Sequence, residues 1–169
     1  IDEPILGLDL PEAWRGAFES AYAALKKADV SLMLATYFSP LRENLALACA
    51  LPVAGLHVDA VRSPQELTGV ADWLPAHKVL SVGVVDGRNM WRTDVDAALA
   101  KLRPVAEKHK GELWIAPSCS LLHVPFNLEA ETKLDTELKS WLAFAIEKLD
   151  ELRVLRAAID GDEASVATE

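Results

Sequence analysis

The chain has 169 residues, enough for one domain, and 51% of them are hydrophobic, enough for a buried core. Its 17 basic and 26 acidic residues give a net charge of -9, which argues against binding to nucleic acid or anionic lipid. The two cysteines, Cys49 and Cys119, lie on different kinds of segment, and nothing resembles a secretory signal or a membrane-spanning run. We therefore expect a reduced, cytoplasmic protein that binds neither nucleic acid nor membrane.

Strand patterns and helix patterns alternate strictly along this sequence. Short apolar runs are typical of strands buried on both faces, and the longer segments between them carry apolar residues at helical spacing. Ser63 and Glu66 form a capping box with Pro64 at the first helical position, which predicts a helix start there. The predicted strands are residues 30–35, 54–58, 79–85 and 113–116. The predicted helices are residues 9–25, 39–51, 63–74, 93–105 and 135–159.

The last predicted helix is the longest of the five. Asp135 or Thr136 caps its start, and Gly161 marks its end. Its apolar residues repeat at helical spacing without a gap, so we expect one uninterrupted helix. These residues are Leu138, Trp141, Leu142, Ala145, Leu149 and Leu152. Residues 162–169 follow the helix, and we expect this tail to be frayed.

The alternation predicts an α/β fold with a parallel sheet and right-handed crossovers. Gly83 and Gly87 do not make a G-x-G-x-x-G pattern, which weighs against a nucleotide-binding sheet and favours a barrel. A complete barrel takes about 250 residues and eight strands, whereas this chain offers four strands and the tip of another at Ile1 and Asp2. We predict the second half of a (βα)8 TIM-like barrel, with about four βα units in residues 1–161, and expect a piece of a longer protein.

Polar residues follow every predicted strand. In parallel sheets, the side chains that do chemistry gather at the carboxyl edge, so these tips would share one barrel mouth. Of the adjacent carboxylates Asp2 and Glu3, at most one can face the mouth, because neighbouring strand residues point to opposite faces. The candidate barrel-mouth residues are Glu3, Tyr37, Asp59, Arg62, Asp86, Arg88, Asn89, Ser118, Cys119 and His123.

Several short motifs along the chain resemble one enzyme family. The two most specific motifs are V-D-G-R-N-M-W-R at residues 85–92 and S-C-S-L-L-H at residues 118–123. Together with the shorter ones they resemble cobalamin-independent methionine synthase, in the half of its amino-terminal barrel domain nearest the second domain. The shorter motifs are I-D-E-P at 1–4, T-Y-F at 36–38, L-H-V-D-A-V-R at 56–62, K-L-D at 133–135 and K-S-W at 139–141.

The resemblance implies a two-barrel methyltransferase that moves a methyl group from a polyglutamylated methylfolate to homocysteine, in methionine biosynthesis. Zinc in the carboxyl-terminal barrel would bind the homocysteine sulfur as a thiolate, since the cation keeps it deprotonated. The zinc ligands and the main substrate contacts belong to that second barrel, and the other folate contacts precede Ile1. The resemblance therefore implies no catalytic residue, metal ligand or cofactor here. Its implied partners are the first half of the barrel and the second barrel.

Cys119 and His123 permit two interpretations. A thiol and an imidazole are common zinc ligands, but two ligands fall short of the three or four that protein zinc sites use. Thr36 and Tyr37 stand where the family's catalytic barrel has a histidine and a cysteine, and neither is a good zinc ligand. We favour a ligand-poor counterpart of the zinc site in the other barrel.

The arginine-rich tips also permit two interpretations. Asp86, Arg88 and Asn89 could bind a small anion, because an arginine offers a bidentate fork. Alternatively, Asp86 and Arg88 pair with each other or with Asp59 and Arg62 and hold the barrel mouth together. We favour pairing, because arginines at a carboxylate-rich mouth are usually paired.

The remaining histidines, tryptophans and the second cysteine have structural explanations. His57 lies within a strand and should be a hydrogen-bonded core imidazole, while His77 and His109 should be in solvent at helix ends. Cys49 should behave as a small hydrophobe. We expect the tryptophans Trp91, Trp114 and Trp141 to pack.

A half-barrel would leave two strand edges unpaired and an apolar inner surface open. We therefore expect a homodimer through the open edges if the other half is absent. The alternative to a piece of the methyltransferase is a free-standing, non-catalytic scaffold or small-anion-binding module of the same family. A decarboxylase-like barrel enzyme would share the architecture, but fold alone does not determine function.

Overall fold

A computed structural model describes residues 1–161, so the tail that we expect to be frayed, residues 162–169, lies outside the described part. Within that part, no helix is both long and apolar enough to cross a membrane. The strands are β1 (Met33–Ala35), β2 (Gly55–Asp59), β3 (Val79–Val85) and β4 (Leu113–Pro117). The helices are α1 (Glu12–Leu25), α2 (Leu45–Ala50), α3 (Leu67–Trp73), α4 (Val95–Lys108), α5 (Thr136–Ser140) and α6 (Ala145–Ile159).

The four strands form one parallel sheet in the order β1-β2-β3-β4. Asp2 adds an isolated parallel bridge to Ala35, so the start of the chain pairs with the outer edge of β1. Consecutive strands that are also neighbours in one parallel sheet are the arrangement of a (βα)8 barrel. The predicted α/β fold class is confirmed, and the sheet is consistent with part of a TIM-like barrel.

One face of the sheet, here called the outer face, holds the hydrophobic core. Leu34, Leu56 and Leu80 are fully buried there, in one cluster with the inward residues of the helices. They occupy one row of the sheet, since Leu34 pairs with Leu56 and Leu56 with Leu80. Side chains alternate between the faces of a strand, so the residue after each leucine points to the other side.

The opposite, inner face carries smaller and more polar residues than we expected. His57 lies between Ala35 and Ser81 in the register, and its Nδ1 is 2.9 Å from the Ser81 hydroxyl. Trp114 completes this row on β4 and is 48% exposed. The expectation of a largely apolar inner surface is therefore wrong for this row, although its predicted core imidazole, His57, is confirmed.

The long last helix of the prediction is two helices. The backbone leaves the helix after Ser140, and Trp91 forms an antiparallel bridge with Leu142 instead. Helix α6 then begins at Ala145, where the Glu147 carboxylate accepts the Phe144 N–H at 3.0 Å. The buried residues of α6 also differ from the predicted apolar set, because Leu149 is exposed. The residues of α6 that are buried are Lys148, Glu151, Leu155 and Ala158.

Three smaller predictions need correction. Ser63 makes no side-chain cap, and a short 3-10 turn, Pro64–Glu66, precedes α3. The Glu66 carboxylate instead accepts the N–H groups of Leu41 and Arg42. His109 is buried rather than solvated, with Nε2 3.2 Å from the Lys78 carbonyl oxygen. The tryptophans that we expected to pack, Trp91, Trp114 and Trp141, are each about half exposed.

Candidate functional site at the carboxyl edge

Arg62 lies at the centre of the polar strand tips. Its guanidinium is 3.2 Å from the Asp86 carboxylate and 3.5 Å from the Asp59 carboxylate. It also donates to the Ser118 hydroxyl at 3.4 Å. The side chain thus links the tips of β2, β3 and β4. Pairing at the mouth, which we favoured, is confirmed for Arg62, and Arg88 takes no side-chain part in it.

Asp59 is buried, and its carboxylate organises the backbone at the end of β2 and β1. One oxygen accepts the N–H groups of Val61 and Arg62, both at 3.0 Å, and the other accepts the Phe38 N–H at 3.1 Å. Phe38 has φ of 77°, in the left-handed region that a bulky side chain rarely adopts. The bond from Asp59 therefore helps to hold a strained turn after β1.

The loop after β3 packs closely on the tip of β4. The Ser118 hydroxyl accepts the Gly87 N–H at 3.2 Å, and His57 Nε2 is 3.3 Å from the Ser118 carbonyl oxygen. A Cβ atom at Gly83 would come within 2.6 Å of Ser118 Cα, so this close approach requires glycine. Burial lowers the pKa of His57, and the Ser118 carbonyl and the charge of Asp59 only partly offset this effect.

Arg88 and Asn89 approach Asp86 in different ways. Asn89 donates from its side-chain amide to Asp86 at 2.9 Å, whereas Arg88 donates only its backbone N–H, at 2.8 Å. The Arg88 guanidinium instead lies over the Phe38 ring, 4.8 Å from the ring centre. His123 stands at the edge of that ring, with 6.3 Å between the ring centres. Phe38 is thus a mouth residue that is missing from the sequence-based set, although it directly follows Tyr37.

Cys119 and His123 have different surroundings, because the thiol is buried and the imidazole lies at the edge of the Phe38 ring. Cys119 is only 6% exposed, and burial raises the pKa of its thiol, with smaller opposing effects from Ser118 and Arg62. A buried, protonated thiol is a poor nucleophile and a poor metal ligand. In residues 1–161, no group of three or more His, Cys, Asp or Glu side chains is placed to hold a metal ion.

Glu3 and Tyr37 are oriented differently from each other. The Glu3 carboxylate accepts a hydrogen bond from Tyr22 of α1 at 3.2 Å, so it contacts the helix layer rather than the other tips. Asp2 is the residue that approaches Tyr37, and burial together with Asp2 raises the pKa of Tyr37 to about 12. The register could have shown this, because Asp2 pairs with Ala35, which belongs to the inner row.

Two comparisons with known proteins identify the family of this chain. Residues 1–110 match the family described as the N-terminal domain of the cobalamin-independent synthase. The 5-methyltetrahydropteroyltriglutamate--homocysteine methyltransferase of Saccharophagus degradans is 54% identical over 166 residues, which are 98% of this chain. The chain spans 22% of the length of that relative. It therefore belongs to the cobalamin-independent methionine synthase family, within the amino-terminal domain.

Proposed function

We propose that this chain is part of an enzyme that transfers a methyl group from 5-methyltetrahydropteroyltriglutamate to homocysteine and so makes methionine in the cytoplasm. The observation that carries the proposal is the 54% identity over nearly the whole chain to a methyltransferase of that name. Folate and homocysteine are then substrates of the whole protein. The role of the described residues is structural: they build and stiffen one half of a barrel.

The contacts at the carboxyl edge support a structural role. The polar side chains at this edge bond to one another and to nearby backbone N–H groups, so few of their donors and acceptors remain for a substrate. These side chains are Asp59, Arg62, Asp86 and Ser118. The family resemblance suggests zinc for this reaction, but the side chains here do not fit it. Cys119 is buried with a raised pKa, and no group of three or more His, Cys, Asp or Glu side chains in residues 1–161 is placed to hold a metal ion. We therefore assign zinc to the second barrel and no reaction step to this chain.

The open edges of the sheet support the proposed partners. Within residues 1–161, the β4 edge pairs only with β3, and the outer backbone groups of Met33 and Ala35 bond to Ile1 and Glu3. The edges that offer free backbone donors and acceptors are therefore those of β4 and of the opening segment beside β1. In the whole protein, the first half of the barrel would pair with these edges. The chain alone would pair with a second copy. Light scattering should therefore detect a dimer, and a monomer that persists at all dilutions would contradict this expectation.

One observation favours the alternative of a small-anion-binding module. Among residues 1–161, the Arg88 side chain has no carboxylate partner and is exposed above Phe38. A guanidinium in this position could accept a small anion. Titration with inorganic phosphate, followed by NMR of the backbone amides of residues 86–94, tests this function. A saturating shift that is lost in Arg88→Gln would favour the module over a purely structural half-barrel.

Methionine formation tests the main proposal. The whole protein should convert both substrates to methionine in a zinc-dependent reaction, whereas residues 1–169 alone should form none. Cys119→Ala in the whole protein should keep most of the activity, because the thiol is buried and its pKa is raised. The proposal fails if the whole protein forms no methionine, or if the isolated chain is active.

A further inference from the structure

Two lysines are buried in this chain, and each binds backbone carbonyl oxygens. Lys148 of α6 is fully buried, and its ammonium donates to the Trp91 carbonyl at 2.9 Å. Lys78 donates to the carbonyls of Cys49 and Leu51, at 2.7 and 2.6 Å. Burial lowers the pKa of both lysines. Burying an ammonium group costs solvation free energy, so the contacts that stabilise each buried lysine need a specific explanation.

Lys148 is one of three charged side chains by which α6 holds the carboxyl-edge loops. Glu151, one turn further on, accepts the Thr93 N–H at 2.9 Å and the Thr93 hydroxyl at 2.7 Å. Glu147 accepts the Leu128 N–H at 3.2 Å, in the loop after β4. Lys148 and Glu151 thus both hold the loop of residues 86–94, which carries Arg88 and Asn89.

The loop of residues 86–94 covers Cys119. A Cβ atom at Gly87 would come within 2.8 Å of the Cys119 carbonyl oxygen and 3.1 Å of its sulfur, so the loop backbone packs directly on this residue. Cys119 is nearly inaccessible as a result. The reactivity of its thiol therefore reports whether the loop is closed.

We infer that Lys148 is a positioning residue: it anchors the loop of residues 86–94 to α6 and keeps this loop closed over Cys119. The closed loop in turn places Arg88 above Phe38. The Trp91 carbonyl lies between Arg88 and the start of α4, so anchoring it fixes the loop from its far side. The negative charges facing the ammonium are those of Glu151 and Asp86, which flank the same loop. The inference depends on these contacts alone and goes beyond the methyl transfer proposed for the whole protein.

The matched test uses the two lysines and the two cysteines. Lys148→Met keeps the length and the apolar stem but removes the donor to Trp91. We expect Cys119 to react with iodoacetamide roughly 10- to 100-fold faster, because a charge-assisted hydrogen bond that closes the loop is lost. Peptide mass spectrometry should show no change at Cys49. Lys78→Met should accelerate the reaction of Cys49 and leave the rate at Cys119 unchanged, because the contacts of Lys78 lie beside Cys49.

A general loss of stability would give a different pattern, since global unfolding exposes both cysteines together. Equal acceleration at Cys49 and Cys119 in Lys148→Met, or an unchanged rate at Cys119, would overturn the inference. If Lys148→Met does not fold, Glu151→Gln loosens the same loop through Thr93. Glu151→Gln should also raise the reaction rate of Cys119 without changing that of Cys49. An unchanged rate at Cys119 in this variant would equally contradict the inference.

Discussion

The two faces of the sheet differ in what they contribute to the fold. On the outer face, Leu34, Leu56 and Leu80 pack in a row at full burial against the helices. On the inner face, the matching row is Ala35, His57, Ser81 and Trp114, and its main contact is the hydrogen bond between His57 and Ser81. The outer face supplies hydrophobic stability, whereas the inner face supplies a fixed polar geometry below the carboxyl edge.

This difference locates the main source of stability in the sheet. Burial of apolar area is the main driving force of folding, and it lies on the face that the chain covers with its own helices. The inner face depends on a few hydrogen bonds, each of which contributes about 0.5–1.5 kcal/mol. Substitutions on the two faces should therefore differ in size and in pH dependence.

The largest effect should come from Leu80→Ala on the outer face. Removing a fully buried leucine leaves a cavity, and the free energy of unfolding should fall by about 2–5 kcal/mol. The neighbouring change on the inner face, Ser81→Ala, removes only the partner of His57 and should cost about 1–3 kcal/mol. Urea denaturation of both variants measures the comparison. A Ser81→Ala cost that equals or exceeds that of Leu80→Ala would contradict it.

A second, smaller effect should come from Gly83→Ala. The added Cβ would approach Ser118 Cα at 2.6 Å and the Pro117 carbonyl oxygen at 2.9 Å, and both atoms are backbone atoms that cannot rotate away. Overpacking of this kind should destabilise the protein by about 1–3 kcal/mol. Gly16→Ala in α1 is the control, because nothing lies within 4 Å of its Cβ position.

The control substitution should stabilise the helix by roughly 0.5–1 kcal/mol, since alanine has the higher helix propensity. Thermal unfolding of both glycine variants shows directly whether each substitution raises or lowers the stability. If Gly83→Ala is as stable as the unsubstituted chain, then β3 and the tip of β4 do not approach as closely as described.

The smallest effect should be a pH dependence from His57. Its folded pKa is lowered by burial from an ordinary value of 6.5. As the pH falls below 6.5, the unfolded chain binds a proton that the folded chain resists, so the free energy of unfolding decreases. Above that pH, the residue contributes no further change. His57→Asn keeps a hydrogen-bonding group, and the slope between pH 6.5 and 5 should be smaller in this variant. Equal slopes would exclude His57 as the cause.

The spacing of apolar residues predicted most of the fold, because the outer face of the sheet is apolar and packs against helices in the usual way. The apolar runs placed β2, β3 and β4 almost at their observed bounds, and the strand tips identified the carboxyl edge where Arg62 and Asp86 meet. Those features depend on local pattern and on the general geometry of parallel sheets.

Tertiary contacts decided the parts that periodicity missed. The apolar spacing continues from Leu138 to Leu152, but the bridge of Leu142 to Trp91 interrupts the helix between them. Lys148 and Glu151 are buried although their charge marks them as surface residues, because their partners are backbone groups and Thr93 in a loop distant in sequence. No local signal reveals such partners.

We propose that the carboxyl edge in residues 1–161 is an internally paired structural mouth rather than a metal centre. Metal analysis of the purified chain, before and after Cys119→Ala, tests it most directly. We expect zinc far below one equivalent per chain and no change with the substitution, because the thiol is buried and no group of three or more potential ligands is placed to hold a metal ion in residues 1–161. Stoichiometric zinc that is lost in Cys119→Ala would instead identify a metal centre at this edge.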